Sequence, residues 1–489
     1  MTGLFKDVVI IGAGASGLGA AIRLRQAGIT DFAVLEKGPA LGGTWRDNTY
    51  PGCACDVPSA LYSYSFAPNP SWTRAFAEQA EIQQYLEDTA ARYDVVPHLR
   101  FGVELLRASW DPARAVWRLE TSTGPLEARV LITATGPWHE PLMPSIPGTF
   151  DGPIFHSSRW DHSVSLAGKR VAVIGTGASA VQFVPAIQPS VASLHVFQRT
   201  AQWVLPKPDH YVPSAERWLF RTFPFAQRLL RKAEYLGMEA FGLGFRHPRL
   251  MRLVEAAGRL HLRRSVPSAA LRSTLTPTYT LGCKRILMSN TYYPALAASN
   301  VSVHPTAVSG FDGGAVIGAD GTRVEADVVI LGTGFKILDL PIATRVHNAA
   351  GQSLADVWQG SPRAYLGTTV AGFPNAFNLL GPNLGTGHTS AFTILETQLD
   401  HVISAVSALF NRNWSTLDVR PEAQAAFVTA VQSALSGTVY ESGNCTSYYH
   451  DRTGRNSFNW PWSTARLRRD ISPFNESAYT ITKSLEVVR

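Results

Sequence analysis

Two glycine turns carry the chemistry that is easiest to read in this chain. Gly12, Gly14 and Gly17 lie in "GAGASG" with Ala15 and Ser16 between them. About 160 residues later the turn recurs as Gly175, Thr176, Gly177, Ala178, Ser179 and Ala180. In such a turn the first glycine permits a tight bend and the second lets a pyrophosphate approach the backbone. The third small residue lets the following helix pack on the preceding strand. The helix N-terminus then offers amide donors and partial positive charge to phosphate. Glu36 stands nineteen residues past Gly17, where a carboxylate accepts hydrogen bonds from a ribose diol and repels a 2′-phosphate. The first site should therefore take FAD. The second unit has Gln198, Arg199 and Thr200 at the corresponding place. No carboxylate stands there, and the planar fork of Arg199 suits a 2′-phosphate, so NADPH is expected over NADH. The plainer alternative is an ordinary surface arginine.

Each turn needs a strand before it and a helix after it. Residues 7–11, "DVVII", form a β-branched run suited to burial on both faces of a parallel sheet. "LGAAIRLRQAG" follows at helical spacing and closes at Gly28, and "FAVLEK" is the next strand. "RVAVIGTGASA", a helix through Ile187 and "SLHVFQR" repeat the unit. "VLITATGPWHEP" (130–141) and "ADVVILGTGF" (326–335) each read as a buried strand running into a small-residue turn. The expected fold is α/β, with two Rossmann-like dinucleotide-binding domains. The FAD domain is discontinuous, 1–148 and 336–489. The NADPH domain, 149–335, carries a helical insertion over about 213–270. Residues 378–390 read as a loop opening a helix through Leu399, close to the flavin.

The composition fits this reading. A chain of 489 residues is long enough for two or three domains. Its 45% hydrophobic and 17% charged residues describe globular protein. Four cysteines exclude a disulfide scaffold. No apolar run approaches the roughly 18 residues of a membrane span, and the N-terminus has no basic segment with a cleavage site. A soluble, cytoplasmic protein is expected. The net charge of +7 is local: residues 216–264 hold eleven basic residues and four acids, and the remainder is neutral. Nucleic-acid binding is therefore not indicated. The same stretch interleaves arginines with large apolar residues. It reads either as solvated helix or as a surface meeting anionic membrane, and oligomeric state is unreadable.

Two longer motifs resemble a known family. "FDGPIFHSSRWD" matches FxGxxxHxxxW[P/D] through Phe150, Gly152, His156, Trp160 and Asp161. "GGTWRDNTYPGCACD" matches [A/G]GxWxxxx[F/Y]P[G/M]xxxD through Gly42, Gly43, Trp45, Tyr50, Pro51, Gly52 and Asp56. With the glycine turns, the chain resembles the flavin-dependent monooxygenases, and within them the type I Baeyer–Villiger monooxygenases. The Trp-Asp ending separates these from the related N- and S-oxygenating enzymes.

The resemblance implies a mechanism. NADPH reduces FAD, O2 adds to give a flavin peroxide at C4a, and that peroxide attacks a ketone to yield an ester or lactone. Arg285, in "LGCKRILMSN", matches the family's active-site arginine, and Asp56 matches the carboxylate that holds it. Lys284 resembles the neighbour that reads the NADP phosphate. The further FAD candidates are Gly43, Thr44, Trp45, Asp56, Tyr62 and Val103, and the further NADP candidates are Ala54, Cys55 and Asp56. His156 belongs to the segment joining the domains, so a structural or hinge role is preferred to that of a general base. Cys53 and Cys55 lack a second ligand pair for zinc, and no metal is expected. Cys283 and Cys445 are expected as buried thiols. The ketone is unnamed, with a lean toward a large apolar one. The competing readings are an amine- or sulfide-oxygenating enzyme, an NADPH oxidase or reductase, and a cofactor-bound sensor.

Overall fold

The computed structural model describes residues 4–483. Residues 1–3 and 484–489, the two ends of the expected FAD domain, lie outside it. Strand Leu4–Ile11 is buried over its last four residues. Val8 and Ile10 enter one hydrophobic core while Val9 and Ile11 enter another. The β-branched run thus feeds both faces of its sheet, as a central parallel strand must. Phe32–Glu36 and Gly124–Thr133 flank it in parallel, with Ile10 paired to Val34 and to Ile132. The strands Leu105–Asp111 and Val116–Thr121 extend this sheet as an antiparallel meander. Leu99–Phe101 pairs in parallel with Phe32–Glu36, and two short strands from late in the chain, Val346–His347 and Ala376–Asn378, complete its eight strands.

The second sheet has five parallel strands in the order 301–304, 193–197, 170–174, 328–331 and 154–156. The chain passes from the first sheet to the second after Thr133 and returns after Leu331. These two crossings lie side by side. The amide of Leu142 donates to Gly334 O at 2.8 Å, and that of Lys336 donates to Glu140 O at 2.9 Å.

Beyond Leu205 come four helices, Ser214–Thr222, Pro224–Arg246, Pro248–Ser265 and Ala269–Thr274. Pro224 and Pro248 stand at first helical positions, where the missing N–H costs nothing and the preceding helix must stop. The helix expected to end at Leu399 runs over Ala391–Asn411. Val402, Val406 and Leu409 continue its buried stripe, so its packing does not end where the motif-rich segment does. No helix among the described residues is long and apolar enough to cross a membrane.

One expectation is overturned. Cys283 and Cys445 are not thiols but a disulfide with S–S 1.96 Å, bridging 162 residues. The pairing depends on the insertion loop meeting the C-terminal segment, which spacing along the chain cannot reveal. Cys53 and Cys55 are free and buried.

Candidate active site

The first glycine turn opens a cleft with an empty volume of about 1570 Å³, its open mouth included. Gly12 has φ +106°, and a Cβ there would sit 2.7 Å from Ala134 O. Gly17 lies outside the cleft lining, and a Cβ on it would fall 1.8 Å from Gly12 O, so helix and strand meet only through a glycine. Gly14 and Gly43 approach backbone to backbone, with a Cβ on Gly43 only 3.0 Å from Gly14 Cα. Ala15 and Ser16 begin helix Ala15–Gln26, whose N-terminus has no side-chain cap. Its orphan amides face the cleft.

Glu36, Val103 and Thr44 line the cleft. The Glu36 carboxylate is held by Ala13 N at 2.9 Å, Gly38 N at 2.7 Å and Arg46 Nη1 at 3.0 Å. Arg46 is a partner that the sequence reading missed. It shares the charge of Glu36, so acceptor geometry discriminates here more than repulsion does. Trp45 donates from Nε1 to the Tyr62 hydroxyl at 3.1 Å, which fixes both rings on the wall. Asp56 is not on this wall.

Ala391, Phe392 and Leu395 of helix Ala391–Asn411 also line the cleft. Thr386 Oγ1, Thr389 Oγ1 and His388 Nδ1, just before that helix, are buried with no hydrogen-bond partner. Buried polar atoms rarely stay unpaired. Glycine backbone, an uncapped helix N-terminus and a carboxylate on the wall of one cleft fit an extended dinucleotide.

The second turn repeats this geometry. Gly175 has φ +107°, and a Cβ there would meet Gly332 O at 2.4 Å. Helix Ala178–Ile187 also starts from Gly177 with no side-chain cap, with Thr176 and Ala180 buried and Ser179 half-buried at its start. A Cβ on Gly332 would lie 3.4 Å from the methyl of Ala180, so strand and helix also meet closely here. Arg199 is exposed and Thr200 half-buried beside it. Burial and then the positive charge of Arg199 push the Lys284 ammonium down. Two cations close together fit an anionic phosphate.

The Gly42–Asp56 motif leaves the first sheet and docks on this second unit. Tyr50 OH donates to Gln182 Oε1 at 2.8 Å, and Gln182 Nε2 donates to Ala54 O at 2.8 Å. Gly52 has φ +79°, and a Cβ on it would lie 2.9 Å from Gln182 O. Lys207, which no motif flagged, donates to Cys55 O at 3.1 Å. This packing brings Asp56 to Arg285. Nε and Nη2 of Arg285 donate to the same oxygen, Oδ2, at 2.9 and 2.7 Å. The charge of Asp56 holds the guanidinium well above its ordinary value despite partial burial. The side chains remain 28% and 29% exposed, so the pair faces open space with Nη1 and Oδ1 unused. Tyr448 and Tyr449 lie beside Arg285, and Trp138 and Phe458 pack against Tyr448.

The remaining motif residues are structural in their contacts. His156 is buried, in a strand paired to 328–331, and accepts from Ser158 N at 3.1 Å. Burial pushes its imidazole down to about 4. Trp160 packs on Phe155 and Phe183, and Asp161 caps Ser163. Phe150 packs on Phe311, and Gly152 admits Asp327 O where a Cβ would be 2.4 Å away. None of these reaches Arg285 through a hydrogen bond.

Two glycine turns on two sheets, with a cation–carboxylate pair between them, define an oxidoreductase built on two dinucleotide sites. A family described as pyridine nucleotide-disulphide oxidoreductase matches residues 9–214. A Baeyer-Villiger monooxygenase of Streptomyces coelicolor is 47% identical over 97% of this chain and 92% of its own length. A solved structure of an oxidized steroid monooxygenase bound to NADP superposes with TM-score 0.85 at 29% identity, covering 98% of this chain and all of that one. Another, OTEMO in complex with FAD and NADP, gives 0.87 at 25% identity, covering 98% and 99%. The chain belongs to the Baeyer–Villiger monooxygenases.

Proposed function

We propose that this protein inserts one oxygen atom of O2 next to a ketone carbonyl, consuming NADPH and giving an ester or lactone and water. FAD is assigned to the cleft of the first sheet and NADPH to the second glycine turn. The division into an FAD domain (1–148 and 336–489) and an NADPH domain (149–335) follows the two sheets. When bound, FAD supplies the chemistry of hydride acceptance and oxygen activation.

The chain's own residues do the rest. Gly14, Gly43 and the amides of Ala15 and Ser16 hold the FAD pyrophosphate, and Glu36 holds a ribose. Arg199 and Lys284 hold the 2′-phosphate of NADPH. Arg285 stabilises negative charge on the oxygen atoms of the reacting ketone without giving up its own proton. Asp56 orients that guanidinium by taking both donors on one oxygen and leaving Nη1 for the substrate. Trp138 and Phe458 pack on Tyr448 to form an aromatic wall beside that charge. Dependence on NADPH favours the cytoplasm as the place of action.

The observation that carries this reading is the half-open Arg285–Asp56 pair between two dinucleotide cradles. The test is product analysis of the purified protein with FAD, NADPH, O2 and a panel of ketones and sulfides. Ester or lactone formation supports it. Sulfoxides alone would favour heteroatom oxygenation, and NADPH consumption with neither product would favour an oxidase.

A further inference from the structure

Of the twenty large hydrophobic side chains exposed among the described residues, eleven fall between Tyr211 and Leu260. They are ordered. Along helix Pro224–Arg246 the outward stripe is Phe225, Leu229, Leu236 and Leu243, which are 67%, 64%, 55% and 43% exposed. Along helix Pro248–Ser265 it is Leu250, Leu253 and Leu260. Steps of three, four or seven residues keep each set on one helix face. The opposite faces are already used: Gly242 and Phe245 of the first helix, and Met251, Gly258 and Leu262 of the second, are buried. A helix packed on a domain normally turns its leucines inward, and these two do so on one side only.

The charges beside the stripes are of one sign. Eight of the eleven cations between 216 and 264 are exposed, among them Arg228, Lys232, Arg249 and Arg252, and none of the four acids is. Glu239 accepts from His388 Nε2 at 3.0 Å and from Thr464 Oγ1 at 2.5 Å. Glu255 accepts from Leu281 N at 3.0 Å, and Glu234 has a buried carboxylate oxygen. Arg259 pairs with Glu255 at 3.9 Å, and the other exposed cations have no carboxylate partner among the described residues. The outer face therefore combines an apolar ridge with a net positive charge, the pattern of a helix lying in a membrane interface.

We propose that the outer face of helices Pro224–Arg246 and Pro248–Ser265 docks on an anionic lipid surface. The leucine ridge enters the headgroup boundary and the flanking arginines meet lipid phosphates. A second copy of this chain is disfavoured as occupant, because two such faces bring like charges together. The hydrogen bonds of Glu239 tie the docked helix to the loop before helix Ala391–Asn411, so the body follows its surface.

The experiment is cosedimentation of the full chain with vesicles of phosphatidylglycerol and phosphatidylcholine in equal parts, and of phosphatidylcholine alone, at low and moderate salt. Binding to the mixed vesicles that weakens with salt and is absent on phosphatidylcholine is expected. Removing Arg228, Arg249 and Arg252 together as serines should weaken it roughly a hundredfold. The triple variant Leu229→Ser, Leu236→Ser and Leu253→Ser should lose binding while keeping its melting temperature, since these side chains touch solvent. Failure to bind the mixed vesicles at low salt overturns the proposal, as does equal binding to phosphatidylcholine alone. A solution dimer that the leucine variant dissolves would assign the face to a second copy instead.

Discussion

Cys283 and Cys445 bond the loop of Arg285 to the loop of the tyrosines that lie beside it. Cys283 lies two residues before Arg285, and Cys445 three before Tyr448. A closed loop of this length restricts the unfolded chain more than the folded one, and such bonds typically contribute about 2–4 kcal/mol. Cys445→Ser should lower the urea midpoint accordingly, with no change in FAD content. Treatment of the parent with dithiothreitol should reproduce the shift. Equal midpoints for parent, reduced parent and variant would show that the bond does not form in solution.

Arg285→Ala should retain FAD and continue to consume NADPH while making almost no ester. Losing one preorganised donor at an oxyanion costs roughly 10²–10³ in rate, and losing a full charge should be no milder. Hydrogen peroxide should appear in place of product. Asp56→Ala should move the same way, less completely, because the guanidinium remains but is no longer held. NADPH, peroxide and ester measured together in one reaction check both variants.

Arg199→Ala and Lys284→Ala should raise KM for NADPH by about ten- to a hundredfold, the worth of a charged hydrogen bond, and leave KM for NADH nearly unchanged. Steady-state kinetics with both nucleotides decide it. A parent enzyme indifferent to the 2′-phosphate would refute the assignment.

Acid should destabilise the fold through buried histidines. Burial pushes His156 and His401 down to about 4 from an ordinary 6.5. The unfolded chain therefore takes up protons near pH 6.5 that the folded one refuses until about pH 4. Their contribution to stability is complete above the higher value and is lost progressively down to the lower. His401 accepts from or donates to Tyr479 OH at 3.0 Å and faces Pro473 O. His401→Gln should flatten the fall of the denaturation midpoint across that window, as chemical denaturation at several pH values would reveal.

The glycine turns, Glu36 and both central strands were legible because each depends on neighbours within one βαβ unit. Gly17 needs its missing methyl for a contact five residues away, at Gly12 O, whereas the close approach of Gly12 to Ala134 joins distant parts of the chain. Arg285 and Asp56 are 229 residues apart, and only resemblance to a family joined them. Arg46 beside Glu36, Lys207 beside Cys55 and the unpaired hydroxyls of Thr386 and Thr389 carry no pattern in the chain. They matter through where the fold delivers them. The same holds for the disulfide, whose halves lie in loops that meet only after both sheets have formed. The insertion was legible in composition, but the inward turn of its acids was not.

The two crossings between the sheets have a mechanical consequence. Leu142 and Lys336 stitch them side by side along one edge, and the Cys283–Cys445 bond rivets the same two halves together again beside Arg285. A body sewn along one edge and riveted at a second point does not swing about the seam. Asp56 and Arg285 are thereby held in register by fastenings that neither side chain supplies, and the charged pair carries none of the load.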